Sequence, residues 1–136
     1  MRAQKRCGGR TARVEFVLPG GSASAGRARQ LTRALLAEGC GRPSDRLHDA
    51  QLVVSELVSN ATRAARGPCR LRLRLDAHEF TVEVHDDSPE RPSLCAPSAS
   101  AESGRGLALV HALSRHWCVV GDRRGGKTVR AVLALD

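Results

Sequence analysis

Glu56 and Asn60 stand four apart in an otherwise apolar stretch, Leu52-Val-Val-Ser-Glu-Leu-Val-Ser-Asn-Ala61. On a helix that spacing places a carboxylate and an amide one turn apart on one face. A carboxylate among apolar neighbours is costly unless it is paired or used. An amide oxygen beside phosphate oxygens suits Mg²⁺, which rarely takes an all-protein cage. Taken alone, the pair would equally mark the solvent edge of an amphipathic helix. Asp86 closes the alternating run Val82-Glu-Val84-His-Asp86 in phase with the two valines, so it points inward and needs a donor. An adenine amino group and a backbone N–H of the following turn both qualify. Gly104-Arg105-Gly106 opens a further apolar segment, and a glycine-bearing helix start can approach phosphate. Arg105 would be a phosphate contact there, although an exposed arginine at a helix start is equally ordinary. There is no G-x-x-x-x-G-K-[ST] loop and no protein-kinase H-R-D or D-F-G signature, so a nucleotide would be held by another fold.

These residues need elements to position them. Thr11 to Leu18 reads as a strand, stopped by Pro19-Gly20-Gly21. A helix capped by Ser22 or Ser24 runs to about Glu38, with Ala28, Leu31, Ala34 and Leu35 inward and Gly39 as its stop. Pro43-Ser44-Asp45 opens a second helix with Ser44 as N-cap. Its apolar stripe is Leu47, Ala50, Val54, Leu57, Val58, Ala61 and Ala65, and Gly67-Pro68 ends it. Strands over 69–76 and 79–86 flank a short connection and should pair as a hairpin. Ser88 to Ser103 is a loop long enough to be a lid or binding loop. A third helix is expected from Gly106 to about Ser114, then strands 116–121 and Thr128 to Leu135. The order β-α-α-β-β-α-β-β predicts an α/β (α+β) two-layer sandwich, a mostly antiparallel mixed sheet with helices on one face. Residues 1–10 read as a flexible basic arm and 11–136 as one domain.

Composition narrows the partners. A chain of 136 residues can bury its own core. No apolar run approaches a membrane span, and Met1 to Arg10 lacks the apolar core of a secretory signal, so the expected compartment is the cytoplasm. Five scattered cysteines without a C-x-x-C pair frame neither a zinc site nor a disulfide scaffold. The net charge of +8 raises nucleic acid as a partner. Against it, Arg70-Leu-Arg-Leu-Arg-Leu75 alternates like an ordinary half-solvated strand. With two Phe, one Trp and no Tyr, few stacking platforms exist for single strands. A basic nucleic-acid-binding domain is the disfavoured alternative.

Together these segments resemble the GHKL (Bergerat-fold) ATPase superfamily, and within it the anti-sigma-factor serine/threonine kinases, over about residues 13–135. Ser55 to Ala61 looks like that family's N box, which implies Asn60 as the Mg²⁺ ligand and Glu56 as the general base. Val84 to Pro89 is similar to the G1 box, which implies Asp86 on the adenine amino group. Gly104 to Val110 matches the G2 box, which implies Gly104, Arg105 and Gly106 in nucleotide binding, with Ser88 to Ser103 as the ATP lid. Gly126-Lys-Thr128 resembles the segment whose threonine approaches adenine through water, which implies Thr128. The resemblance implies ATP and Mg²⁺ as cofactors and an ATP-dependent serine/threonine kinase acting as an anti-sigma factor by partner switching. Its implied partners are a sigma factor and a STAS-type anti-anti-sigma protein, with a homodimer as one oligomeric option. The chain departs from the family at Ser88, where glycine is usual, and at Ala64-Ala65, where His-Ala is common. Those departures leave a second reading open, an ATP-binding partner-switch module with weak or no catalysis.

Overall fold

The computed structural model describes residues 2–5, 11–39, 46–65, 67–88 and 102–135. In chain order the elements are β1 (Arg2–Lys5), β2 (Ala12–Leu18), α1 (Ala23–Gly39), α2 (Leu47–Ala65), β3 (Cys69–Leu75), β4 (Glu79–Asp86), α3 (Glu102–Leu113), β5 (His116–Gly121) and β6 (Lys127–Ala134). The strands form one sheet in the order β1-β2-β3-β4-β6-β5. Every neighbouring pair is antiparallel, so the expected mixed sheet is uniform in sense. Helix α2 packs against α1, α3 and strands β3, β4 and β6, which makes the two-layer α+β sandwich.

Side-chain alternation builds the core. On β3, Cys69, Leu71, Leu73 and Leu75 are buried while Arg70, Arg72 and Arg74 are exposed. The register sets Leu73 between Val14 of β2 and Val82 of β4, and Leu75 between Ala12 and Phe80. Onto this layer α2 lays Ala50, Val53, Val54, Leu57, Val58 and Ala61, a stripe at helical period. Each large aliphatic side chain so buried contributes ~1.5–3 kcal/mol. The opposite sheet face meets water. There Arg70 and Arg72 lie 3.6 and 3.4 Å from Glu15, half-exposed pairs of ~1 kcal/mol at most.

The structure departs from the sequence reading in three further places. Within the segment read as a basic arm, Arg2–Lys5 pairs with β2, Arg2 opposite Glu15. On α1, Thr32 and Leu36 take inward positions and Ala34 is exposed. Thr32 is tolerated in the core because its hydroxyl donates to the Ala28 carbonyl at 2.9 Å. Helix α3 starts at Glu102 rather than Gly106, so Gly104-Arg105-Gly106 forms part of the first turns instead of preceding them. Ser44, Asp45 and most of the expected lid, 89–101, lie outside the described residues.

Short-range hydrogen bonds set the ends that carry the site. Arg46 donates to the Leu113 carbonyl at 2.8 Å, serving an orphan acceptor at the α3 C-terminus from the start of α2. In the β5–β6 turn, Asp122 Oδ1 accepts from the N–H groups of Arg124 at 2.8 Å and Gly126 at 3.0 Å. Gly125 adopts φ 91°, a conformation glycine takes without strain. Asp122 Oδ2 meets His85 Nε2 at 2.8 Å. The His85 bond, helped by the two N–H donors and opposed by desolvation, holds the Asp122 carboxyl below the usual carboxylate range.

A lowered folded-state pKa means that the ionised carboxylate favours the folded chain. Its contribution is whole above the unfolded value, about 3.9, and is lost as pH falls through the folded value. Asp122→Ala should therefore melt below wild type at pH 5, and the gap should narrow below about pH 4. Thermal melts of both proteins across that range check it; a gap that widens in acid would be inconsistent with the pairing.

Candidate functional site

The two-residue period that buries Val82 and Val84 also turns Asp86 inward at the end of β4. Directly across the ladder stands Lys127, the first residue of β6. Their side chains are 1% and 6% exposed, and Lys127 Nζ lies 2.8 Å from Asp86 Oδ1. The Ser88 N–H donates to that same oxygen at 2.7 Å, and Nζ reaches the Ser88 carbonyl at 3.4 Å. Asp86 Oδ2 accepts from no group among the described residues. The backbone donor weighed from the sequence is thus present, and one carboxylate oxygen remains for another. Gly126 allows the close approach: a Cβ there would stand 2.6 Å from the Asp86 carbonyl oxygen. Cys69 lies on the same inner face, one strand away. Burial, with a smaller contribution from the Asp86 charge, pushes its thiol up to about 11, leaving it protonated and unreactive at neutral pH.

On α2, which packs on β4, Glu56 and Asn60 lie half-buried beside the apolar stripe. Glu56 has no hydrogen-bond or ion-pair partner among the described residues. The Asn60 amide is already engaged: Oδ1 accepts from the Arg63 guanidinium one turn on, while Nδ2 is buried without a partner. Gly104, Arg105 and Gly106 belong to the first turns of α3, which packs on α2 and β5; the Arg105 side chain lies outside the described ones.

Thr128 is not brought to this site. It pairs with His85 on the opposite, solvent-facing side of the sheet, where it lines a shallow cavity with Arg70, Arg72, Glu83 and His85. The inward residue at that end of β6 is Lys127, and the sequence reading missed it. The signal was available, because Val129, Ala131 and Leu133 share the inward phase of Lys127. Arg63 was missed as well, at i+3 from Asn60 on the same helix face.

The groups present suit the exocyclic amine of a purine, since Asp86 Oδ2 is an acceptor without a donor among the described residues. They fit Mg²⁺ through one atom. The Asn60 oxygen is a hard donor of the right kind, but a cation must compete for it with Arg63. Rotating the amide would put that oxygen where the orphaned Nδ2 now sits. No cluster of three or more His, Cys, Asp or Glu exists among the described residues, so phosphate and water would supply the remaining ligands.

Removing the Asp86 charge strands a buried ammonium. Asp86→Asn should therefore cost stability by roughly 3–5 kcal/mol, the usual loss when one partner of a buried pair is removed. Denaturant unfolding measures this directly, and an unchanged midpoint would mean the pair contributes nothing in solution.

Comparison with known families places this geometry. Residues 19–133 match the family model described as Histidine kinase-like ATPase domain. No curated protein matches the chain.

Proposed function

Because the chain belongs to the histidine kinase-like ATPase domain family, we propose that it is an ATP- and Mg²⁺-binding regulatory kinase. In this reading it transfers phosphate to a serine or threonine of a small STAS-type anti-anti-sigma protein and acts as an anti-sigma factor by partner switching. One observation carries the nucleotide part: a buried aspartate at the end of β4, with an acceptor oxygen to spare, against which α2 packs with Glu56 and Asn60. Among the described residues no helix is long and apolar enough to cross a membrane.

The roles follow from side-chain chemistry. Asp86 Oδ2 accepts from the base amine and fixes the nucleotide's orientation. Asn60 would offer its amide oxygen to the metal once Arg63 moves aside, and Arg63 would then be a cation one helical turn from that metal ligand. Mg²⁺, when bound, neutralises phosphate oxygens. Glu56, a carboxylate without a competing partner, accepts the proton of the attacking hydroxyl. In phosphoryl transfer the protein's work is mostly positioning and electrostatics, so a rigid α2 on a packed sheet is the relevant scaffold.

A second reading has its own observation. Arg63 occupies the Asn60 oxygen, and Ser88 stands where the family usually has glycine. Both favour a module that binds ATP to control partner exchange and transfers phosphate poorly.

Glu56→Ala separates the two readings. For a kinase, ATP affinity should persist while single-turnover transfer to a cognate antagonist falls by ~10²–10⁴-fold, the usual share of a general base. Calorimetry with a non-hydrolysable analogue and radiolabelled transfer read the two quantities separately. Transfer undiminished in the variant would remove Glu56 from the chemistry, and no transfer in wild type would favour the binding module.

A further inference from the structure

The Asp86–Lys127 pair is more than a counterion arrangement. Lys127 carries three donor protons. One goes to Asp86 Oδ1 at 2.8 Å and one reaches weakly to the Ser88 carbonyl at 3.4 Å. The third has no acceptor among the described residues. Beside it, Asp86 Oδ2 is an acceptor without a donor. A donor and an acceptor on side chains only 6% and 1% exposed, each with spare capacity and joined through one carboxylate, form a template for a flat ligand edge with the opposite pattern. The 6-amino edge of adenine has that pattern, an amine donor flanked by a ring-nitrogen acceptor on either side.

We propose that Lys127 is a base-reading residue: its ammonium stays on Asp86 and donates to the ring nitrogen next to the amine that Asp86 Oδ2 accepts. The proposal rests on the nucleotide reading above and deepens it. A lysine displaced by the base would leave a buried charge unpaired, which is costly. A lysine that remains loses nothing, because the base engages the other carboxylate oxygen. Gly126 keeps the start of β6 pressed to the end of β4, so the ammonium is held in place rather than waving on a long stem. The pair then selects by charge-assisted hydrogen bonds at both positions, and a base lacking either partner atom would leave a buried group unsatisfied.

The test uses 1-deaza-ATP and 7-deaza-ATP, each of which keeps the amine and removes one flanking nitrogen. Wild type should bind one of the two about 10- to 100-fold more weakly than ATP by calorimetry, the loss expected for a bond to a charged donor. In Lys127→Met that penalty should vanish, with ATP falling to the level of the deaza analogue. A wild type that binds both analogues as tightly as ATP overturns the proposal, as does a penalty that persists in Lys127→Met. Should the variant fail to fold, ¹⁵N-labelled ATP on wild type decides the matter. One ring nitrogen beside the amine should move upfield on binding, and no such shift overturns the proposal. Failure of wild type to bind ATP at all would sink the nucleotide reading as well, so the two failures are distinct.

Discussion

A carboxylate buried at the end of a strand cannot remain charged without donors, and this constraint organises one end of the molecule. Asp86 meets it with the Ser88 N–H and the Lys127 ammonium, both on one oxygen. To deliver Lys127, β6 must begin directly opposite the end of β4, and the turn before it must be tight. Asp122 closes that turn with its own carboxylate, and Gly126 removes the side chain that would keep the strands apart. The same sheet end therefore carries two carboxylates with nitrogen partners on opposite faces. Asp86–Lys127 is buried beneath the helices, and Asp122–His85 lies on the open face with Asp122 exposed.

Energetically the two pairs differ in kind. The outer pair sits in high dielectric and can be lost with modest consequence. The inner pair is expensive to break on one side because the remaining charge has no water. A ligand that uses the second oxygen of Asp86 avoids that cost, whereas one that displaces Lys127 incurs it. Asn60 shows a related competition on α2, where its oxygen is held by Arg63 and must be yielded to any metal. On the proposed reading, a spare oxygen for the base at Asp86 would coexist with an occupied oxygen at Asn60.

Much of this was legible in the sequence. The strand β3 reads directly from Arg70-Leu-Arg-Leu-Arg-Leu75, since period two cannot be mistaken for a helix. The stripe on α2 and the inward phase of Asp86 follow from the same periodicities. Thr128 was assigned by likeness to a motif, and the register sets it on the open face; one residue of parity separates it from Lys127, and parity decides the face. The start of α3 was placed late because Gly104 and Gly106 looked like loop punctuation, though glycines near a helix start cost little when packing on α2 supplies the stability. The sequence reading puts Ala34 inside for its apolarity and does not count Thr32 among the inward residues. A local bond to Ala28 reversed the pair, and nothing short of the three-dimensional contact reveals that.

The account stands or falls on which face of the sheet receives the nucleotide. Chemical-shift mapping of the ¹⁵N-labelled protein with ATP and Mg²⁺ addresses it most directly. The account predicts large shifts at the amides of Asp86, Ser88 and Lys127 and at the Asn60 side chain, with Arg70, Arg72 and Glu83 on the open face unmoved. Shifts concentrated on Arg70, Arg72 and Glu83, with Asp86 and Asn60 silent, would contradict it and point to the basic open face as the binding surface.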